Sequence, residues 1–421
     1  MPVDVNDFDR NILHPDTYVE HGYPHDIWTR LRAEDPVFWW DKTEGMPFWA
    51  ITKHEDIIEI SKQPEKFLNG PRITVSHEPE PDRDDDPMSQ FPPTLIQMDN
   101  PQHSIFRELI AKRFTPRYLA SVGHDVEVIG KEIVDDLLAK SEGGYGECDF
   151  VEEVSAPLPI AVIGWLLGVP KEDWPMLFDW TNAIIGAGDP EFQDESMTAH
   201  EQGRAKIVEL FTYYAKMIEE KEKNPDDALV SHFNAMEIDG KKLELMDKLA
   251  WCLIITVAGN ETTRNATSGG MLGLVENQDQ LRKCQGDMSL LPGCIEEMIR
   301  WATPIIHFAR TAACDYELRG KQIKKGDALA LFYPSANRDE DIFEDPFSFR
   351  IDRNPNRHLS FGIGEHFCVG SHLARMEMAV AYKHLIPRLE EVELTGPPDR
   401  LWSSLVGGVK HLPIKYKVSA A

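Results

Sequence analysis

The sequence predicts a mainly α-helical chain with small β-sheets, and three observations predict it. Apolar residues recur at helical spacing through most of residues 99–302. Strand-like runs concentrate at about 36–60 and 305–335. Glycine, proline and acidic clusters separate the helical runs without any break in composition or internal repeat. A single domain over residues 1–421 is therefore expected, with a helical core and a cysteine-bearing loop at 358–370.

Taken in order, the first elements are a short helix over Pro24–Glu34, a strand in the run Pro47-Phe-Trp-Ala-Ile-Thr, and a helix over His54–Ser61. Residues 69–93 are rich in Pro, Asp and Glu and read as a long loop, either a solvated acidic segment or a lid. Asp99-Asn-Pro-Gln-His103 opens a helix running to about Thr115. His103 and Arg107, four apart on one face, form either a surface pair or a clamp for an anionic group. Helical patterns continue over Leu119–Ser141, Pro157–Leu167, Trp174–Ile185 and Thr198–Lys223.

The longest helical candidate spans 241–275, starting at Lys241-Lys-Leu-Glu. Its apolar face abruptly carries Gly259, Glu261, Thr262 and Thr263. A glycine inside a helix costs about 1 kcal/mol relative to alanine, and a carboxylate in such a run must be paired or locally solvated. Either the helix bends there, with Thr262 bonded back to the carbonyl four residues earlier, or the polar group is functional. A helix over Ser289–Ala302 carries Glu297 and Arg300, alone a commonplace i,i+3 pair. Short strands at Tyr316–Leu318, Gln322–Ile323 and Ala328–Phe332 and a meander over Asn337–Arg357 lead to the cysteine loop.

That loop reads His358-Leu-Ser-Phe-Gly-Ile-Gly-Glu-His-Phe-Cys-Val-Gly370 and runs into a helix-forming segment from Ser371. A thiolate just before a helix gains from the dipole and from unpaired backbone N–H groups, which lowers its pKa and suits it to a metal. Gly362, Gly364 and Gly370 permit positive φ or close approach of backbone to a flat ligand. Cys368 is thus a structural cysteine after a tight turn or an axial thiolate under a haem. The other cysteines, Cys148, Cys252, Cys284, Cys294 and Cys314, have no zinc-like spacing and are expected to be reduced thiols.

The formal net charge of −27 argues against a nucleic-acid partner. The longest apolar runs, Ile160–Val169 and Leu249–Gly259, are about half a bilayer span. The acidic N-terminus lacks the features of a signal peptide. A cytoplasmic chain without a membrane anchor is expected.

Arg107, Ala258-Gly259-x-Glu261-Thr262, Glu297-x-x-Arg300, Phe308-x-Arg310 and Phe361-Gly362-x-Gly-x-His366-x-Cys368-x-Gly370 together resemble the cytochrome P450 superfamily in order and rough spacing, across residues 30 to 418. The resemblance implies the P450 fold, an α-helical haem domain with a minor β-rich region, and a monooxygenase that uses dioxygen. Cys368 would be the iron ligand of haem b, shielded by Phe361, with Gly362 and Gly370 shaping its loop. His103, Arg107, Arg310 and His366 would neutralise the propionates, Ala258 and Gly259 would make room for dioxygen, and Glu261 and Thr262 would relay protons. Glu297 and Arg300 would form a buried lock. Its usual third member is replaced by Ser348, leaving Arg350, Arg353 or Arg357 to substitute.

The chain has no flavin or iron–sulfur motif, so the resemblance implies electrons from NAD(P)H through a ferredoxin reductase and a ferredoxin. Lys112, Arg113 and Arg117 are either a docking patch or ordinary surface charge. A monomer is expected. The substrate pocket is expected from Ile73, Leu95, Ile96, Ile184, Ile185, Ile254, Ala258, Ile305, Ile306, Leu405 and Val406, residues equally readable as core, which implies a hydrophobic substrate. The Ala258–Ala266 segment and the tail from Arg400 are similar to bacterial members that oxidise sterol and isoprenoid side chains. Fatty-acid, alkane or aromatic oxidation is the alternative. A peroxygenase, a haem-thiolate sensor or carrier, and a cysteine hydrolase remain open readings of the cysteine loop.

Overall fold

The computed structural model describes residues 3–79, 91–194 and 196–418. Helices dominate it. Three short ones come first: α1 (Pro15–His21), α2 (His25–Glu34) and α3 (His54–Ser61). The helical body comprises α4 (Gln102–Ala111), α5 (Pro116–Ala139), α6 (Pro157–Leu167), α7 (Trp174–Ile185), α8 (Ala199–Lys223), α9 (Leu229–Ala235), α10 (Leu245–Glu276), α11 (Gln278–Gly286) and α12 (Leu291–Ala302). A single turn, α13 (Tyr333–Ala336), and α14 (Ser371–Leu385) complete the set. None of these helices is long and apolar enough to cross a membrane.

α10, at 32 residues, is the axis of the molecule. From Thr263 to Met271 every residue is buried, the pattern of a helix enclosed on all sides. α6, α7, α8, α12 and α14 pack against it. α14 packs on both α5 and α12, making a second group of helices.

A five-stranded sheet orders as Val37–Trp40, Phe48–Ile51, Ala328–Phe332, His307–Ala312 and Phe67–Leu68, antiparallel except where Ala328–Phe332 runs parallel to Phe48–Ile51. A three-stranded antiparallel sheet places Pro413–Val418 between Leu389–Leu394 and Tyr145–Asp149.

Several sequence-derived boundaries hold to the residue, including Pro157–Leu167, Trp174–Ile185 and His54–Ser61. Thr198 caps α8 in a capping box with Glu201, a reciprocal arrangement that fixes the helix start. The long central helix differs. Lys241–Lys242 is not its first turn but a strand paired with Glu237–Ile238. Asp239 and Gly240, both at positive φ, make the hairpin turn between them, and the Asp-Gly pair is the signal for it. The expected loop over 69–93 has no helix or strand among its described residues, but its start is tied to the sheet. Ala309 N–H donates to Ile73 O at 2.8 Å, and Val75 is fully buried, its N–H bonded to His307 Nε2 at 3.2 Å. Residues 80–90, the acidic centre of that loop, lie outside the described residues.

Candidate active site

The cysteine loop is built by backbone turns that only its sequence accommodates. Gly362 and Gly364 sit at φ +68° and +80°, the left-handed region that glycine enters at little cost. A β-carbon on Gly364 would lie 2.4 Å from Ser61 O, so the loop also needs glycine there to pass α3. Of the two uses expected for Gly370, positive φ is not the one observed. Its φ is −81°, and it acts as the N-cap of α14; a β-carbon there would approach Cys368 Sγ to 3.9 Å. Cys368 N–H donates to Phe361 O at 2.9 Å, closing the loop on itself.

Cys368 is exposed as a residue, yet protein surrounds its sulfur closely enough that desolvation pushes the thiol pKa up. Backbone N–H groups of Gly370 and Ser371 and the guanidiniums of Arg107 and Arg375 oppose that effect without overcoming it. The expectation of an intrinsically low-pKa thiol is therefore corrected. The helix start favours the thiolate, while desolvation opposes it and comes first among the effects on this sulfur.

Beside the sulfur gathers an excess of positive charge. Arg107 donates through Nη2 to Phe367 O, and Arg310, buried in the five-stranded sheet, donates to its own neighbour's carbonyl, Ala309 O, at 2.7 Å. Burial lowers the pKa of both guanidiniums. His103 and His366 stack with ring centroids 3.8 Å apart. Among the described residues neither ring nitrogen of buried His103 has a hydrogen-bond partner, while His366 Nε2 meets the Asn69 side-chain amide. Burial first, then His103, Arg310 and Arg107, push His366 down to about 2, so its imidazole is neutral. The charge that could meet an anion is thus carried by the arginines, and the histidines offer neutral N–H donors. Orphaned donors, two guanidiniums and an open thiol fit a haem with its propionates.

Ala258 is exposed in the middle of an otherwise buried helix, as a residue bordering internal space would be. Gly259 does something else. Its missing β-carbon would sit 2.6 Å from Ile163 Cδ1, so this glycine lets α6 pack against α10 rather than leaving room for dioxygen. Thr262 Oγ1 donates to Ala258 O at 2.8 Å, the back-bond four residues earlier. Glu261 is buried in an ion pair with Arg264 and accepts from Asn265 Nδ2 at 3.0 Å through the same oxygen, Oε1. Its other oxygen, Oε2, has no partner among the described residues.

The lock is complete. Arg300 Nε and Nη2 donate to the two oxygens of Glu297 at 2.8 and 2.7 Å, and both side chains are fully buried. Arg353 takes the third place at 3.3 Å from Glu297 Oε2. Arg350 contributes its backbone N–H to Glu297 at 2.8 Å while its side chain reaches Glu344, and Arg357 accepts from His54 through its carbonyl. Asn356 adds a further donor to Glu297 at 3.0 Å.

Of the expected pocket residues, Leu95 and Ile254 line one cavity together with Pro93, Thr94, Met98, Phe106, Asp247, Ala250 and Trp251. Ile305 and Val406 meet in a β-bridge. Ile306 is corrected. It is fully buried in the apolar core with Trp28 and Phe332, because the residue after the bridge faces the opposite side. Ile73, Ile96, Ile184, Ile185 and Leu405 are half-buried.

A second ion-pair group on the cysteine side had no sequence signal, because its members are far apart in the chain. Arg375 of α14 donates to Glu296 of α12 at 2.6 and 2.9 Å, His358 meets Glu296 at 3.1 Å, and the Arg375 guanidinium lies 4.4 Å from the Phe361 ring centroid. Burial pushes the Glu296 carboxyl up, but the bonds from His358 and Arg375 together hold it at about 2. A depressed carboxylate stabilises the fold above its unfolded pKa and loses that contribution as pH falls. The stability difference between wild type and Glu296→Gln is therefore expected at neutral pH and should vanish between about pH 4.5 and 2, as read by acid unfolding monitored by circular dichroism.

Comparison with known proteins agrees with this geometry. The family model described as Cytochrome P450 matches residues 171–418. A "Steroid C26-monooxygenase" of Mycobacterium tuberculosis is 37% identical over 96% of this chain and 91% of its own length. A "Methyl-branched lipid omega-hydroxylase" of the same species is 35% identical over 92% of this chain and 89% of its own. Among solved structures, CYP108D1 from Novosphingobium aromaticivorans superposes with a TM-score of 0.85 at 34% identity, covering 97% of each chain.

Proposed function

The chain belongs to the cytochrome P450 family and is a monooxygenase, and from that premise we propose that it hydroxylates the alkyl end of a sterol or related isoprenoid. The observation that carries the substrate class is the pair of relatives named for a steroid C26 position and for the ω-end of a methyl-branched lipid, both matched over nearly the whole chain.

Cys368 is the residue we assign to the iron, and Arg107, Arg310, His103 and His366 to the propionates. When bound, the haem supplies activation of dioxygen and the oxidising equivalent that converts a C–H bond to an alcohol. This chain's own residues hold the cofactor, exclude water and move protons. Glu261 Oε2, buried and unpartnered, is the atom we assign to taking up a proton, and Thr262 Oγ1 is the hydroxyl that passes it on by rotating off Ala258 O. Electrons are assigned to a ferredoxin supplied by an NAD(P)H-dependent reductase, with Lys112, Arg113 and Arg117 as its contact.

Thr262→Ala is expected to bind haem and substrate normally while product per NAD(P)H consumed falls by about tenfold or more, the scale of a lost general-acid step. Unchanged coupling would remove Thr262 from the relay. For substrate class, low-to-high-spin titration with sterols, acyclic terpenoids, fatty acids and aromatics is decisive. A response to aromatics or fatty acids alone would overturn the sterol reading.

A further inference from the structure

Among the described residues two Glu-x-x-Arg pairs are buried, and they pair differently. Arg300 closes on Glu297 with two bonds, Nε to Oε2 at 2.8 Å and Nη2 to Oε1 at 2.7 Å. Arg264, three residues after Glu261 in α10, donates to Glu261 through Nη2 alone, and to Oε1 alone. Glu261 Oε2 and Arg264 Nε, the two atoms that a second bond would join, are buried without a partner among the described residues. A guanidinium beside a carboxylate favours the two-bonded fork, and buried polar atoms are rarely left unsatisfied. Something holds this pair open.

α7 supplies it. Arg264 Nη1 donates to Asn182 Oδ1 at 2.6 Å, and the guanidinium carbon lies 5.8 Å from the Phe178 ring centroid. Phe178 and Asn182 are four apart on one face of α7, and Thr181 beside them accepts from Asn260 Nδ2 of α10 at 3.0 Å. Thr181, Asn182, Asn260 and Arg264 are all buried. Bringing Arg264 Nε onto Glu261 Oε2 would turn the guanidinium about its Nη2 bond and carry Nη1 off Asn182. That would strip a buried oxygen of its donor, which opposes the turn. Asn265 Nδ2 also donates to Glu261 Oε1, at 3.0 Å. One carboxylate oxygen is thus fixed by two donors, and the other is kept clear.

We infer that Asn182 is a positioning residue: by holding Arg264 it keeps the pair with Glu261 singly bonded and Glu261 Oε2 free to take up a proton. The inference rests on the proposed relay role of Glu261 and deepens it, because it puts control of that carboxylate on α7. Asn182 acts only through Arg264. The same residue pair at the same spacing is a closed lock in α12 and an open, working carboxylate in α10, and the partner of Nη1 makes the difference.

The test uses the haem-loaded enzyme with a surrogate ferredoxin and reductase. The probe is whichever of cholesterol, farnesol, hexadecanoic acid and naphthalene gives the largest spin shift. Asn182→Leu, of similar size but without an acceptor, should lower product per NAD(P)H consumed about tenfold, the scale expected of Thr262→Ala. Its dissociation constant for the probe, from spin-shift titration, should match wild type, which a displaced α7 would not allow. Asn182→Asp keeps an acceptor for Nη1 and should retain coupling, and a carbon monoxide difference spectrum confirms that each variant folds around its haem. In a crystal structure of Asn182→Leu, Arg264 Nε and Nη2 should sit on the two oxygens of Glu261; a pair still singly bonded would overturn the inference. Added to Glu261→Gln, Asn182→Leu should cause no further loss, whereas independent sites would add. If Glu261→Gln lowers coupling and Asn182→Leu does not, the inference is overturned and the relay stands. If Glu261→Gln leaves coupling unchanged, the relay reading falls and the inference with it.

Discussion

Replacing Cys368 with serine is expected to abolish the red-shifted Soret band of the ferrous carbon monoxide complex and to reduce monooxygenase activity to background, while the protein still takes up haem. The first two outcomes follow from the ligand and the third from its surroundings. Serine has nearly the size of cysteine, so the Cys368 N–H bond to Phe361 O and the glycine turns around it persist. What disappears is the sulfur, which as the iron ligand would supply the electron density behind both the spectrum and the cleavage of dioxygen. The cofactor's acidic edge is assigned to Arg107, Arg310, His103 and His366, none of which the substitution touches, so retention of haem is the expected control. A red-shifted band in the variant would remove Cys368 from the iron. The cysteine-hydrolase reading of the same loop makes the opposite demand, a base on the sulfur. Among the described residues no histidine hydrogen-bonds Cys368, and His366, two positions away, is engaged with Asn69 and held at about 2.

How legible this site was from sequence depends on how local each contact is. Cys368, the Glu261–Thr262 pair and the Glu297–Arg300 pair each lie within one helix or one loop, so spacing alone displays them. The lengths of α6 and α7 were readable for the same reason. The third member of the lock was not. Three arginines stand within eight residues, and only the turn of the meander decides that Arg353 rather than Arg350 or Arg357 faces Glu297. Arg375, Glu296 and His358 come together across 79 and 62 residues of chain with no motif to announce them. The three-stranded sheet joins 145–149 to 413–418, a pairing that periodicity cannot reveal. Gly259 shows a subtler failure: the sequence shows that a small residue is needed, and only packing shows that its neighbour is Ile163. The pKa of Cys368 was misjudged because the helix start is visible in sequence, whereas the burial that outweighs it is not.

Arg300→Leu is expected to cost about 3–5 kcal/mol, the range for removing one partner of a buried ion pair. Against a typical total of about 5–15 kcal/mol that is a large fraction. The effect is large because one guanidinium satisfies many groups at once. Its Nε and Nη2 hold Glu297, its Nη1 bridges Asn337 O and Pro346 O at 2.8 and 2.9 Å, and Nη2 also reaches Ser348 O at 3.2 Å. Leucine would leave a fully buried carboxylate with only Arg353, Asn356 and the Arg350 N–H, and strand the carbonyls of the meander. Lysine would keep the charge but lose the bidentate fork, so Arg300→Lys is expected to fall between wild type and Arg300→Leu. Arg353→Leu should cost less than Arg300→Leu, since its contact with Glu297 is longer, 3.3 Å, and its removal leaves the main pair intact. The damage should reach the iron site by a specific route. Asn337, whose carbonyl Arg300 holds, accepts the Leu359 N–H at 2.7 Å and donates to Ser360 Oγ at 2.9 Å, and Ser360 in turn binds Ile299 O at 2.9 Å. The lock therefore props the start of the loop that presents Cys368. In urea unfolding followed by circular dichroism, with haem content read in parallel from the carbon monoxide spectrum, Arg300→Leu should lose stability and haem together. A variant within about 1 kcal/mol of wild type with full haem content would show that the lock is dispensable and that Asn337 holds the cysteine loop without it.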